Sequence, residues 1–261
     1  MDNPVKEYYI QIDQTKGFCD KLDHLLKTWP VAKRQKIKLN VYESESVYCG
    51  VSFLDVFENL DQTIKIYDRN KVQPDDQMKR LSCTAYAWVK ESQELLNYLF
   101  GSCLREDIKK KLNFNIPINT FGVHMRTKDF ILGNKKLTDV DRASLNIDAR
   151  SKDVIDKFLE DKLQKNDLFL NCDSVFICSS GLAHEEYLAK KINKKIIINK
   201  KQHHKKSAYT DRSTKEGMIE ALNDLVCLSQ CVSSMSKSMW NYGSKFQALA
   251  KNLTAFNKND I

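Results

Sequence analysis

A chain of 261 residues, 42% hydrophobic and 29% charged, has the composition of an ordinary globular protein, which sets aside disordered, collagen-like and membrane-embedded classes. Forty-two Lys and Arg against 34 Asp and Glu leave a formal charge of +8, which favours anionic partners such as nucleotide sugars, nucleic acids or lipid surfaces. The length suits one large α/β domain or two smaller ones.

The longest apolar runs, around 175–178 and 196–198, fall far short of the roughly 20 residues that cross a bilayer. Met1 is followed by Asp2, Asn3 and Pro4, with neither the basic nor the apolar segment of a secretory signal. Eight cysteines are scattered and never form Cys-x-x-Cys, so they read as reduced thiols. The expectation is a cytoplasmic protein without a membrane span. The densest basic stretch, 190–206, reads as a solvated loop or as a polyanion contact.

In chain order the pattern predicts a strand at 8–12, a loop around Gly17, a helix at 21–29 stopped by Pro30, and a strand at 37–42. The middle reads as helical, above all 85–100, where Trp88, Leu95, Leu96 and Leu99 share a face. From residue 118 strands and helices alternate: strand 119–124, helix 152–163, strand 174–179, helix 182–192 and strand 195–199. A helix at 215–228, a short strand near Val232 and a helix at 240–253 close the chain. The expected fold is α/β, with two Rossmann-like halves, 1–115 and 116–261, facing a cleft. Ligands of such sheets sit beyond the carboxyl ends of the strands, which directs attention to the loops around Gly17, His124, Ser179 and Ser236.

The strand 119–124 runs into Gly122-Val123-His124-Met125-Arg126-Thr127-Lys128-Asp129. An arginine at a strand tip offers a rigid fork of donors suited to paired phosphate oxygens, and His124 points the same way along the strand. A surface Arg126 paired with Asp129 is the plainer alternative. Ser234-Met235-Ser236-Lys237-Ser238-Met239-Trp240 reads as a serine-rich turn opening a helix, either a routine N-cap or a phosphate cradle.

Taken in order, these segments resemble the fucosyltransferase superfamily of core, nodulation and protein O-fucosyltransferases, which are GT-B-like glycosyltransferases. Gly-Val-His-x-Arg with a following Asp is similar to that family's donor motif. Residues 16–24, with Gly17, Phe18 and Cys19, resemble its N-terminal glycine loop, and 221–230, with Asp224, its nucleotide-binding helix. The resemblance implies that Arg126 contacts the β-phosphate and that Asp224 helps bind guanine. Ser236 and Ser238 would then hold the donor diphosphate, with Gly17, Phe18, Cys19 and Met239 also on the donor. Thr127 stands where core-type members carry a second arginine, with Lys128 the nearest cation. The implied activity is inverting transfer of L-fucose from GDP-fucose to a glycan hydroxyl. Residues 1–115 would face the acceptor and 116–261 would bind the nucleotide sugar. Another nucleotide sugar such as GDP-mannose is the alternative donor. For the proton acceptor, Asp129, Asp139 and Asp13 are the candidates, because 131–134 reads Ile-Leu-Gly-Asn where core-type members place a glutamate.

Other patterns carry other readings. Asp139-Val140-Asp141 has the DxD form of metal-dependent transferases but follows Asn134-Lys135-Lys136 rather than a buried strand, so no metal and no cofactor beyond the donor sugar is expected. His184-Glu185-Glu186-Tyr187-Leu188 starts like a zincin helix, with Leu188 in the place of the second histidine. Residues 175–181 faintly resemble a hydrolase nucleophile elbow, with Ile177 where its first glycine belongs. A basic module for nucleic acid or another polyanion is the non-enzymatic alternative, supported by charge alone; the transferase reading expects no nucleic-acid partner.

Overall fold

The computed structural model describes residues 7–12, 17–45, 49–82, 87–113, 115–125, 149–179, 181–200, 214–237 and 244–254. The chain divides into two compact units, Met1–Lys111 with Arg212–Met218, and Leu112–Asp211 with Ile219–Ile261. Among the described residues no helix is long and apolar enough to cross a membrane, and none of the described cysteines forms a disulfide.

The first unit contains β1 (Glu7–Gln11), α1 (Phe18–Arg34), β2 (Lys38–Glu43), α2 (Phe53–Val56), β3 (Ile64–Asp68), β4 (Lys79–Arg80), α3 (Lys90–Ser102) and α4 (Glu106–Lys109). Its four strands are parallel, in the order β3-β2-β1-β4. Leu22, Leu25, Leu26 and Trp29 recur at helical spacing on α1 and are buried, as are Ile10, Leu39 and Val41 of the sheet.

Three expectations need correction here. Pro30 does not stop α1, which runs on to Arg34. An interior proline costs a helix about 3 kcal/mol, and burial of Trp29, Pro30 and Ala32 offsets it; near the helix end Arg34 forks to both carboxylate oxygens of Glu91 on α3, at 2.9 and 3.0 Å. That fork holds the Glu91 carboxyl well below its ordinary range, at about 2. Trp88 precedes α3 rather than joining it, because Val89 is extended; its indole N–H donates to Asp23 at 2.8 Å. The middle is also not wholly helical, for it holds β3 and the two-residue β4.

A buried ion pair fastens the end of β2. Lys21 and Glu43, each 1% exposed, meet at 2.9 Å. The Lys21 ammonium also donates to the Ser44 carbonyl at 2.6 Å, and Glu43 accepts the Phe53 N–H at 2.6 Å. Burial nevertheless raises the Glu43 carboxyl above its ordinary value, against the pull of Lys21.

The second unit contains β5 (Thr120–Met125), α5 (Ala149–Phe158) continuing as a wider turn of helix (Leu159–Leu163), and α6 (Asp167–Leu170). Then follow β6 (Ser174–Ser179), α7 (Leu182–Lys191), β7 (Lys195–Ile197), α8 (Lys215–Ser229), β8 (Ser233–Lys237) and α9 (Lys245–Asn252). The order β7-β6-β5-β8 is again all parallel and repeats the topology of the first sheet. Every residue of β5 and β6 is buried, as interior strands of a sheet covered on both faces require.

The two faces of β5 have different tasks. Phe121, Val123 and Met125 pack into a core with Ile155, Phe158, Phe169, Val175, Ile177 and Leu188. Gly122 turns to the other face, where a Cβ would lie 2.4 Å from Leu228 Cδ1 and 3.0 Å from Ser234 Cβ. A glycine is needed there so that α8 can lie close to β5 and β8. Gly122→Ala should therefore destabilise the protein by about 1–3 kcal/mol through overpacking, measured by urea denaturation; an unchanged midpoint would mean that α8 shifts freely.

Candidate functional site

In a sheet ordered β7-β6-β5-β8 the chain moves outward from β5 in both directions, so the topological switch point lies between β5 and β8. In open parallel sheets ligands lie at such a switch point, beyond the carboxyl ends of the strands. The register sets His124 beside Ser236 and Met125 beside Lys237. The positions from which the arginine segment and the serine segment depart are thus side by side. Arg126, Thr127, Lys128, Asp129, Asp139 and Asp141, together with Ser238, Met239 and Trp240, lie outside the described residues, as does Asp13.

His124 shares its face of β5 with Gly122 and is 5% exposed. Its ring lies against Phe246 of α9, with centroids 4.7 Å apart and planes at 19°. The first turn of α9 is fixed to β8, since Gln247 Nε2 donates to the Ser234 carbonyl at 2.6 Å and approaches its hydroxyl at 3.4 Å. Here the local reading of the serine segment is corrected. Ser234 and Ser236 stand in strand β8, and the helix that follows starts at Lys245 with Ser244 as its N-cap, accepting from the Gln247 N–H. Pairing with β5, rather than any apolar alternation of its own, makes this segment a strand.

At the end of β6 the chain turns into α7. The Ser179 N–H donates to the buried Glu185 carboxylate at 2.6 Å, and the Ser179 hydroxyl accepts from the Gly181 N–H at 2.8 Å. Ser179 is buried and engaged with its own turn, unlike the exposed nucleophile of a hydrolase elbow. Ser180 lies outside the described residues.

Asp224 is buried on α8, where it accepts from Asn199 Nδ2 at 3.0 Å. Asn199 follows β7, at the sheet edge opposite β8, and also approaches Cys227 at 3.3 Å. Burial pushes the Cys227 thiol up to about 12, so it serves as a packing residue and not as a nucleophile. Asp224 is therefore associated with the far edge of the second sheet, while His124 and Ser236 meet at the switch point.

Gly17, Phe18 and Cys19 belong to the first unit. Gly17 caps α1 through its carbonyl, which accepts from the Asp20 and Lys21 N–H groups at 3.0 Å each. With φ −72° and ψ 167° it adopts a conformation open to any residue. The Phe18 ring packs edge-on against Phe53 at 5.7 Å and is buried, so only its backbone is placed to meet a ligand. Cys19 is partly buried. The motifs give no sign of Phe246 or Gln247, whose contacts with the site arise from where α9 docks.

No protein-family model matches the sequence, and no curated protein matches it either. Solved structures do resemble it in fold. The fucosyltransferase NodZ from Bradyrhizobium superposes with a TM-score of 0.61 at 16% identity, over 94% of this chain and 92% of that one. NodZ alpha-1,6-fucosyltransferase soaked with GDP-fucose gives 0.57 at 16% identity, over 95% and 93%. The same enzyme co-crystallized with GDP gives 0.56 at 16% identity, over 94% and 92%. The α/β architecture with two parallel sheets is thus that of NodZ across nearly its whole length.

Proposed function

We propose that this chain is an inverting glycosyltransferase that moves L-fucose from GDP-fucose to a glycan hydroxyl without a metal. One observation carries the reading. The two segments that separately resemble donor-diphosphate motifs leave adjacent strands, with His124 beside Ser236 at the switch point of the second sheet. The NodZ fold, seen in crystals with GDP and GDP-fucose, supports the same ligand class.

In this mechanism Arg126, Ser236 and Ser238 receive the diphosphate. As the glycosyl bond breaks, negative charge grows on the β-phosphate and positive charge on the sugar ring. Arg126 interacts more strongly as cleavage proceeds, which is the condition for lowering the barrier. His124 orders the same pocket, and Asp129, Asp139 and Asp13 are the candidates to take the acceptor proton.

A thermal-shift panel tests the ligand class, with GDP, UDP, ADP and CMP and their sugars, GDP-mannose included, all in the presence of a chelator. GDP and GDP-fucose should raise the melting temperature selectively, since a ligand at 100 times its Kd adds about 2.7 kcal/mol to stability. Equal shifts with every nucleotide, or none with GDP, would overturn the reading. A GDP shift seen only after manganese is restored would overturn its metal independence.

A further inference from the structure

We infer that Phe246 is a positioning residue for His124, an inference that rests on the transferase reading above. The χ2 torsion of a histidine is broad, and rotation about it swings both ring nitrogens. A histidine that must present one nitrogen to a phosphate or a sugar hydroxyl therefore needs its ring plane fixed by something flat. Phe246 meets that need, since the rings are stacked at 4.7 Å and 19°.

The platform is itself held. Phe246 stands in the first turn of α9, capped by Ser244. Gln247 beside it is tied to the Ser234 carbonyl at 2.6 Å. Ser234 belongs to β8, which pairs with β5 through His124 and Ser236. Ladder, helix turn and ring stack thus close a circuit around the imidazole. A phenyl ring has no polar atom, so it fixes the plane without competing for the nitrogens' hydrogen bonds.

GDP-fucose turnover, followed as GDP release to a glycan acceptor or to water, tests this in wild type, Phe246→Leu, Phe246→Met, Phe246→Tyr and His124→Ala. Leucine and methionine fill the space without a flat face, and methionine serves if leucine unfolds the chain. Either should lower kcat roughly 10- to 100-fold, the scale of a misplaced active-site group, with the KM for GDP-fucose little changed. Phe246→Tyr should retain the rate, and Phe246→Leu should add no further loss to His124→Ala. An unchanged kcat in Phe246→Leu and Phe246→Met, or an equal further loss on top of His124→Ala, would overturn the inference while leaving the transferase reading intact. A wild-type chain with neither turnover nor GDP-selective stabilisation would overturn both, so the two failures are separable.

Discussion

Arg126→Ala should lower kcat by more than about a hundredfold, because loss of one preorganised donor to a developing anion costs about 3 kcal/mol of transition-state stabilisation. The melting temperature should not change. Arg126 follows the last residue of β5, and the strand is held by Phe121, Val123 and Met125 in the core. Arg126→Lys should recover only part of the rate, since an ammonium places a point charge where a guanidinium places two parallel donors. GDP release by the two variants measures both effects. Near-normal turnover in the alanine variant would mean that another cation neutralises the leaving group.

The second large effect concerns stability. Lys21→Met should destabilise the protein by about 3–5 kcal/mol, the usual consequence of leaving one member of a buried ion pair without its partner. Glu43 would keep its bond from the Phe53 N–H but lose the Lys21 ammonium in a site 1% exposed. The pH dependence identifies the cause. Burial already raises the Glu43 carboxyl above its ordinary value, and removal of Lys21 raises it further. A carboxyl raised on folding binds its proton more tightly in the native state, so folding is favoured as pH falls and opposed as pH rises through that value. The deficit of the variant should therefore be largest at neutral pH and narrow in acid. Adding Glu43→Leu should restore much of the loss, since a pair replaced by apolar residues is often neutral. Urea denaturation at neutral and acid pH measures all three, and a deficit independent of pH would point to lost packing of the Lys21 stem.

The parts of the fold legible in the sequence are those whose burial is written in a single segment. β6 occupies 174–179 as predicted because its residues are buried on both faces and its centre, Val175 to Cys178, is an unbroken apolar run. α8 covers Lys215–Ser229 because its apolar positions recur at helical spacing. The misread elements depend on contacts elsewhere. β3 has one buried residue, Ile64, and β4 has two residues, so neither carries a period of its own. Pro30 reads as a stop, yet burial of the turn around it carries α1 onward.

The site divides in the same way. That His124 and Ser236 belong together follows from the order of the motifs, and the pairing of β5 with β8 gives it a structural basis. The platform under His124 is invisible in the motifs, since Phe246 reaches it only through the docking of α9. Phe18 illustrates the converse. A residue beside a loop glycine reads as a ligand contact, whereas its ring belongs to a cluster with Phe53 and Phe57.

The most direct test is a crystal structure of the chain with GDP. The diphosphate should lie beyond the carboxyl ends of β5 and β8, within hydrogen-bonding distance of the Arg126 guanidinium and on the side of the sheet where His124 stacks on Phe246. A diphosphate bound at the far edge beside β7, or out of reach of Arg126, would contradict the account.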